Sequence, residues 1–189
     1  MADITAASVG KLREMTGAGL MDCKKALTEA AGKLDAAVDI LRKRGVASAA
    51  NKATREAKEG VIAQHIQPGA RVGVLVELNC ETDFVAKNEN FRAFCDEVAS
   101  LLANDPKTDL EPLRVAQVAK IGENIKISRH HRLVVEGNGL VAAYIHTGAK
   151  VGVLVEVGAG KEATVANDEL RMREKRLRPG LVTGAELVG

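Results

Sequence analysis

Apolar residues recur at helical spacing from Thr5 to Gly45, then on alternate positions from Gly60 to Leu78, and the two periods predict different elements. Val9, Leu12 and Met15 share one face of a first helix that Thr5 can cap. Thr16-Gly17-Ala18-Gly19 breaks that helix, and Cys23, Ala26, Leu27 and Ala30 form the inward face of a second, ended by Gly32. Leu34, Val38 and Leu41 mark a third, closing on Arg42-Lys43-Arg44-Gly45, where basic residues complement the helix dipole. Residues 46–59 are Ala-rich without a wide apolar face, which predicts an exposed linker helix.

The alternating stretch occurs twice. Gly60–Leu78 and Gly139–Val157, with Gly139 lying 79 positions after Gly60, match at 11 of 19 positions, where ordinary composition would give about one. Each copy reads as a β-hairpin, turning at Pro68-Gly69 or Thr147-Gly148. Two hairpins of one design predict two related α+β subdomains, or one core of pseudo-twofold character. After the first hairpin, Phe91, Phe94, Cys95, Val98, Leu101 and Leu102 give Asn90–Ala103 an amphipathic pattern suited to covering a sheet. Glu111–Val118 reads as a short helix and Asn124–Val135 as a strand. The matching helix after the second hairpin is lost, because Arg173 and Glu174 stand where Phe94 and Cys95 stood. The expected division is therefore 1–45 helical module, 46–59 linker helix, 60–138 first subdomain, 139–170 partial second subdomain and 171–189 a divergent, basic, disordered tail.

Composition narrows the function classes. The chain has 189 residues, one tyrosine, three phenylalanines and no tryptophan, so recognition of bare nucleic acid by aromatic stacking is excluded. Net charge is +2, but residues 171–189 hold five basic and two acidic side chains, leaving the rest near neutral. A neutral body gives no reason for binding along a phosphate backbone. Cys23, Cys80 and Cys95 are odd in number and lack CxxC spacing, which suits reduced thiols in a cytoplasm. No apolar run is long enough for a membrane span. His130 and His131 are adjacent on a predicted strand and point to opposite faces, so they cannot chelate one metal. No P-loop, GxGxxG or zinc signature is present, and no base accompanies a cysteine nucleophile. The expectation is a protein that is not an enzyme, with no catalytic residues, metal or cofactor.

Two segments carry candidate chemistry, and each has two readings. In Thr82-Asp83-Phe84-Val85, Thr82 or Asp83 would cap a turn and Phe84 would pack back as a hydrophobic staple. Alternatively the turn presents an acidic and an aromatic side chain to a partner. The equivalent of Phe84 in the second repeat is Ala163, so the fold does not need an aromatic there. In Thr16–Met21 the choice lies between a plain helix connection and a surface turn offering Leu20 and Met21.

Three stretches resemble a known family. Leu12-Arg13-Glu14-Met15-Thr16-Gly17-Ala18-Gly19-Leu20-Met21-Asp22-Cys23-Lys24-Lys25-Ala26-Leu27 is similar to the N-terminal signature of bacterial elongation factor Ts. Val72–Lys87, with its Cys80-Glu81-Thr82-Asp83-Phe84-Val85, and Lys120-Ile121-Gly122-Glu123-Asn124-Ile125 resemble the same family in the same order, from about residue 3 to residue 170. The resemblance implies a guanine-nucleotide exchange factor of the cytoplasm. Its partner would be elongation factor Tu, GDP-bound and nucleotide-free, with neither nucleic acid nor membrane engaged directly. It implies a ubiquitin-associated-like N-terminal module followed by a dimerisation-type α+β core, which allows a homodimer through that core. It also implies that Thr82, Asp83, Phe84 and Val85 dislodge the partner's Mg2+, and that Leu12, Arg13, Gly17, Leu20 and Met21 dock on it. The competing classes are an adaptor that binds a protein through the helical module without exchange activity, and RNA binding through Arg171–Arg178.

Overall fold

The computed structural model describes residues 4–158 and the strand at 184–188. The chain is α+β and divides into two compact units, 1–56 with 111–125, and 57–110 with 126–189.

The first unit is helical: α1 (Ala6–Thr16), α2 (Leu20–Glu29), α3 (Leu34–Lys52) and α6 (Glu111–Ile121). Thr5 caps α1 by accepting from the Ser8 N–H at 3.2 Å. The small core joins Val9, Leu12, Cys23, Ala26, Leu27 and Ala37. The expected close of the third helix at Gly45 does not occur: α3 runs on to Lys52, taking in much of the anticipated linker helix. Gly45 is buried because α6 lies against it, with the Ala119 methyl 3.4 Å from where a Cβ would stand. A glycine inside a helix costs up to about 1 kcal/mol, and here it admits a second helix at close range. Asn124, also buried, donates its amide to the carbonyl of Arg55 at 2.8 Å, just past the end of α3. Lys120–Ile125 is thus a structural segment of the helical unit rather than of the hairpin core.

The second unit holds two three-stranded antiparallel sheets, ordered β1-β2-β3 and β4-β5-β6. Their strands are β1 (Glu59–Ile66), β2 (Val72–Cys80), β3 (Lys126–Val134), β4 (Gly139–Ile145), β5 (Val151–Gly158) and β6 (Gly184–Val188). The 79-residue offset of the repeat is reproduced in space. The Ile62 N–H donates to Ala149 O and the Val141 N–H to Ala70 O, both at 2.7 Å. Ala70 and Ala149 share positive φ values of 53° and 56° in equivalent turns, and it is their carbonyls that accept these two bonds. Ile62, Leu75, Val141 and Leu154 fill the core between the hairpins. Helix α5 (Glu89–Asn104) packs on β1 and β2 through Phe91, Phe94, Cys95, Val98 and Leu102. Gln67 and Arg132 close its far end by donating to Ala103 O.

The expectation of a disordered tail is corrected at β6, which pairs with β5 as β3 pairs with β2, Val188 opposite Val151 and Val134 opposite Val72. Five residues are too few for periodicity to flag, while the free edge of β5 supplies the pairing groups. The remainder of the anticipated tail, 171–183 and 189, lies outside the described residues. Among the described residues no helix is long and apolar enough to cross a membrane.

Candidate functional site: an aromatic turn and a glycine turn between helices

The sequence between β2 and α5 folds into the one-turn helix α4 (Asp83–Ala86). Thr82 sits at its N-cap in extended conformation, its Oγ1 accepting from the Val85 N–H at 3.4 Å. The Cys80 thiol donates to Thr82 O at 3.2 Å, tying the cap to the end of β2. On the other side Asn88 caps α5 by accepting from the Asn90 N–H at 2.9 Å, and Arg92 Nε donates to Ala86 O at 3.3 Å. The turn is therefore held at both ends by elements of the sheet-and-helix layer.

Phe84 is 82% exposed. The staple reading required this ring to pack back, and it does not. Capping belongs to Thr82, so the structural half of the expectation stands without the aromatic. Val85 is half-buried and Ala86 buried, anchoring the turn from beneath. Lys87 donates to Asp83 Oδ2 at 2.7 Å, one helical turn away. This hydrogen bond, with the positive charge behind it, holds the Asp83 carboxyl below the usual carboxylate range. Composition and repeat comparison did not single out Lys87, although its i, i+4 spacing from Asp83 is the signal that finds it.

The second cluster lies in the helical unit. Gly17 closes α1 with φ +65°, its N–H donating to Arg13 O at 2.7 Å. Thr16 Oγ1 turns back to Leu12 O at 2.7 Å, and Gly19 serves as the N-cap of α2. A left-handed residue followed by an extended one reverses the chain in three residues, and only glycine adopts the first conformation without cost. Leu20 and Met21 are 54% and 62% exposed. Leu12 is corrected: it is fully buried in the helical core, because it sits one turn from Val9 against α2 and α3. Its side chain lies in the core beneath the Gly17 turn and is not on the surface. Met15, inward by periodicity, is 55% exposed instead, in the last turn of α1. Arg13 and Gly17 remain at or near the surface. Thr82–Val85 thus belong to one unit and Arg13–Met21 to the other.

Among the described residues no group of His, Cys, Asp and Glu is placed to hold a metal ion. All three cysteines are buried, and burial pushes the Cys95 thiol far up, away from a thiolate.

A family model described as elongation factor TS matches residues 81–173. The chain is 45% identical to elongation factor Ts of Nostoc sp. over 186 aligned residues, covering 90% of this chain and 59% of that relative. It is 49% identical to elongation factor Ts of Symbiobacterium thermophilum, covering 90% and 58%, and 51% identical to that of Sodalis glossinidius, covering 87% and 59%. The chain spans less than two thirds of the length of these curated relatives. The capped Thr82–Val85 turn and the Gly17 reversal both fall within the three signature stretches, and with identity of this extent over most of its length the chain belongs to the elongation factor Ts family.

Proposed function

We propose that this chain is a translation elongation factor that binds elongation factor Tu in its GDP state and promotes GDP release. It does so by disturbing Mg2+ and phosphate coordination in the partner, and it stays bound until GTP enters. The observation that carries this reading is the exposure of Phe84, 82% of whose surface faces solvent on a turn fixed at both ends. A large apolar ring in water gains free energy on burial elsewhere, and the turn that carries it is already ordered.

Bound GDP is held mainly through its phosphates, by backbone N–H groups and Mg2+. A phenyl wedge from Phe84 would displace the elements that carry these groups. Asp83 beside it would offer a carboxylate to partner cations or to the ion's ligands. Thr82 fixes the turn, and Val85 seats it. The helical unit would dock through Gly17, Leu20 and Met21, with Arg13 alongside. Coupling requires tighter binding to the nucleotide-free partner than to the GDP form, since equal affinity shifts nothing. By reciprocity, incoming GTP then weakens the complex.

The test is release of a fluorescent GDP analogue from elongation factor Tu, with and without the chain and with Mg2+ varied. Acceleration of release that depends on Asp83 and Phe84 supports the reading. Association without acceleration makes the chain an adaptor and refutes exchange.

A further inference from the structure

Helix α6 reaches the docking turn from a distant part of the sequence, inside the same unit. A Cβ built on Gly17 would overlap Lys120 Cε and stand 3.0 Å from its Nζ and 3.3 Å from its Cδ. The end of the Lys120 side chain therefore lies across the turn that joins Met15 to Leu20. Lys120 is nonetheless an exposed residue, and among the described residues nothing forms an ion pair with it. Its stem rests against a glycine, which sets its ammonium beside the turn. Arg13, exposed one turn before Gly17, adds a second cation. The acidic neighbour Asp22 turns its carboxylate toward Gly19. The result is an apolar patch of Met15, Leu20 and Met21 with a positioned cation over its central glycine.

We propose that Lys120 is a binding residue of the docking surface, and that this surface fits a protein face on which a carboxylate flanks an apolar depression. The inference rests on the docking reading above and adds to it a contact from α6. Charge at the rim of an interface acts mainly on the association rate and its salt dependence. Gly17 is then required twice, for its left-handed backbone and for the room it gives Lys120.

The experiment measures association of the full chain with elongation factor Tu–GDP at several ionic strengths, for Lys120→Met, Lys120→Glu and the double variant Leu20→Asp/Met21→Asp. Lys120→Met keeps an apolar stem over Gly17 and removes the charge. It should leave the melting temperature unchanged, slow association about threefold at low salt and flatten the salt dependence. Lys120→Glu should slow it about tenfold. Parental rates and salt slopes for both Lys120 variants, alongside lost binding in the double variant, would overturn the inference and leave the docking reading standing. Parental binding in the double variant, its fold intact by circular dichroism, would overturn the docking reading itself. Should Lys120→Glu unfold, Lys120→Met decides the matter alone.

Discussion

Phe84→Ala separates a packing role from a wedge role because the ring contributes so little to the free chain. With 82% of the residue exposed, the substitution removes few internal contacts. Stability should change by no more than about 0.5 kcal/mol, as for ordinary surface positions. The cap survives, since Thr82 Oγ1 and the Val85 N–H are untouched. On a partner the effect should be large. Full burial of a phenylalanine side chain is worth roughly 1.5–3 kcal/mol, and about four fifths of that surface remains to be buried. Some 1.2–2.5 kcal/mol of transition-state stabilisation is then at stake, or roughly sevenfold to sixtyfold in rate at about 1.4 kcal/mol per decade. Stopped-flow release of a fluorescent GDP analogue from elongation factor Tu reads this directly. The deficit should shrink when Mg2+ is chelated, because the ion no longer has to be displaced. Two results would refute the reasoning. One is a melting temperature lowered by 4 °C or more, about 1–2 kcal/mol for a chain of this size, with exchange at the parental rate. The other is a deficit that persists unchanged without Mg2+, which would make Phe84 a docking contact only.

The Asp83–Lys87 pair predicts a pH effect of defined sign: a depressed carboxylate contributes its hydrogen bond above the usual carboxylate range and loses it as pH falls through the lowered value. Carboxyl NMR should place Asp83 below that range and Lys87→Met should move it upward; no movement would refute the pair. Gly73 and Gly152 occupy equivalent places, where a Cβ would meet Val141 at 2.5 Å or Ile62 at 2.8 Å. Gly73→Ala and Gly152→Ala should each destabilise by about 1–3 kcal/mol in chemical denaturation, and a cost at one position alone would contradict the twofold core. Asn124→Ala removes the amide that donates to the Arg55 carbonyl and should cost about 0.5–1.5 kcal/mol, with the loss confined to amide protection of α3 and α6.

From Gly60–Leu78 and Gly139–Val157 alone, the two hairpins and their equivalent turns follow, because side chains alternate and a buried face fixes register, and a twofold core is one of the two arrangements they allow. Helices α2 and α5 were legible from helical periodicity, each having one dominant apolar face. Less was legible where the deciding contact comes from elsewhere in the chain. Nothing near Gly45 announces that Ala119 lies against it, so the helix was expected to stop there. Periodicity placed Met15 beside Leu12, yet one is in water and the other in the core, a difference set by which neighbouring elements reach each position.

At the candidate site the division is sharper. The residue types of Thr82-Asp83-Phe84-Val85 and of the Gly17–Met21 turn are local facts, and capping rules and glycine conformations read them without coordinates. Whether Phe84 staples the turn or stands in solvent depends on how β2 and α5 hold α4, which is a matter of packing. Lys120 meets Gly17 only because α6 folds back into the helical unit. Local backbone preference and the period of apolar residues act over a few positions and are written in the sequence. Exposure and long-range neighbours arise only when separate elements close over one another, and so the tertiary structure decided them.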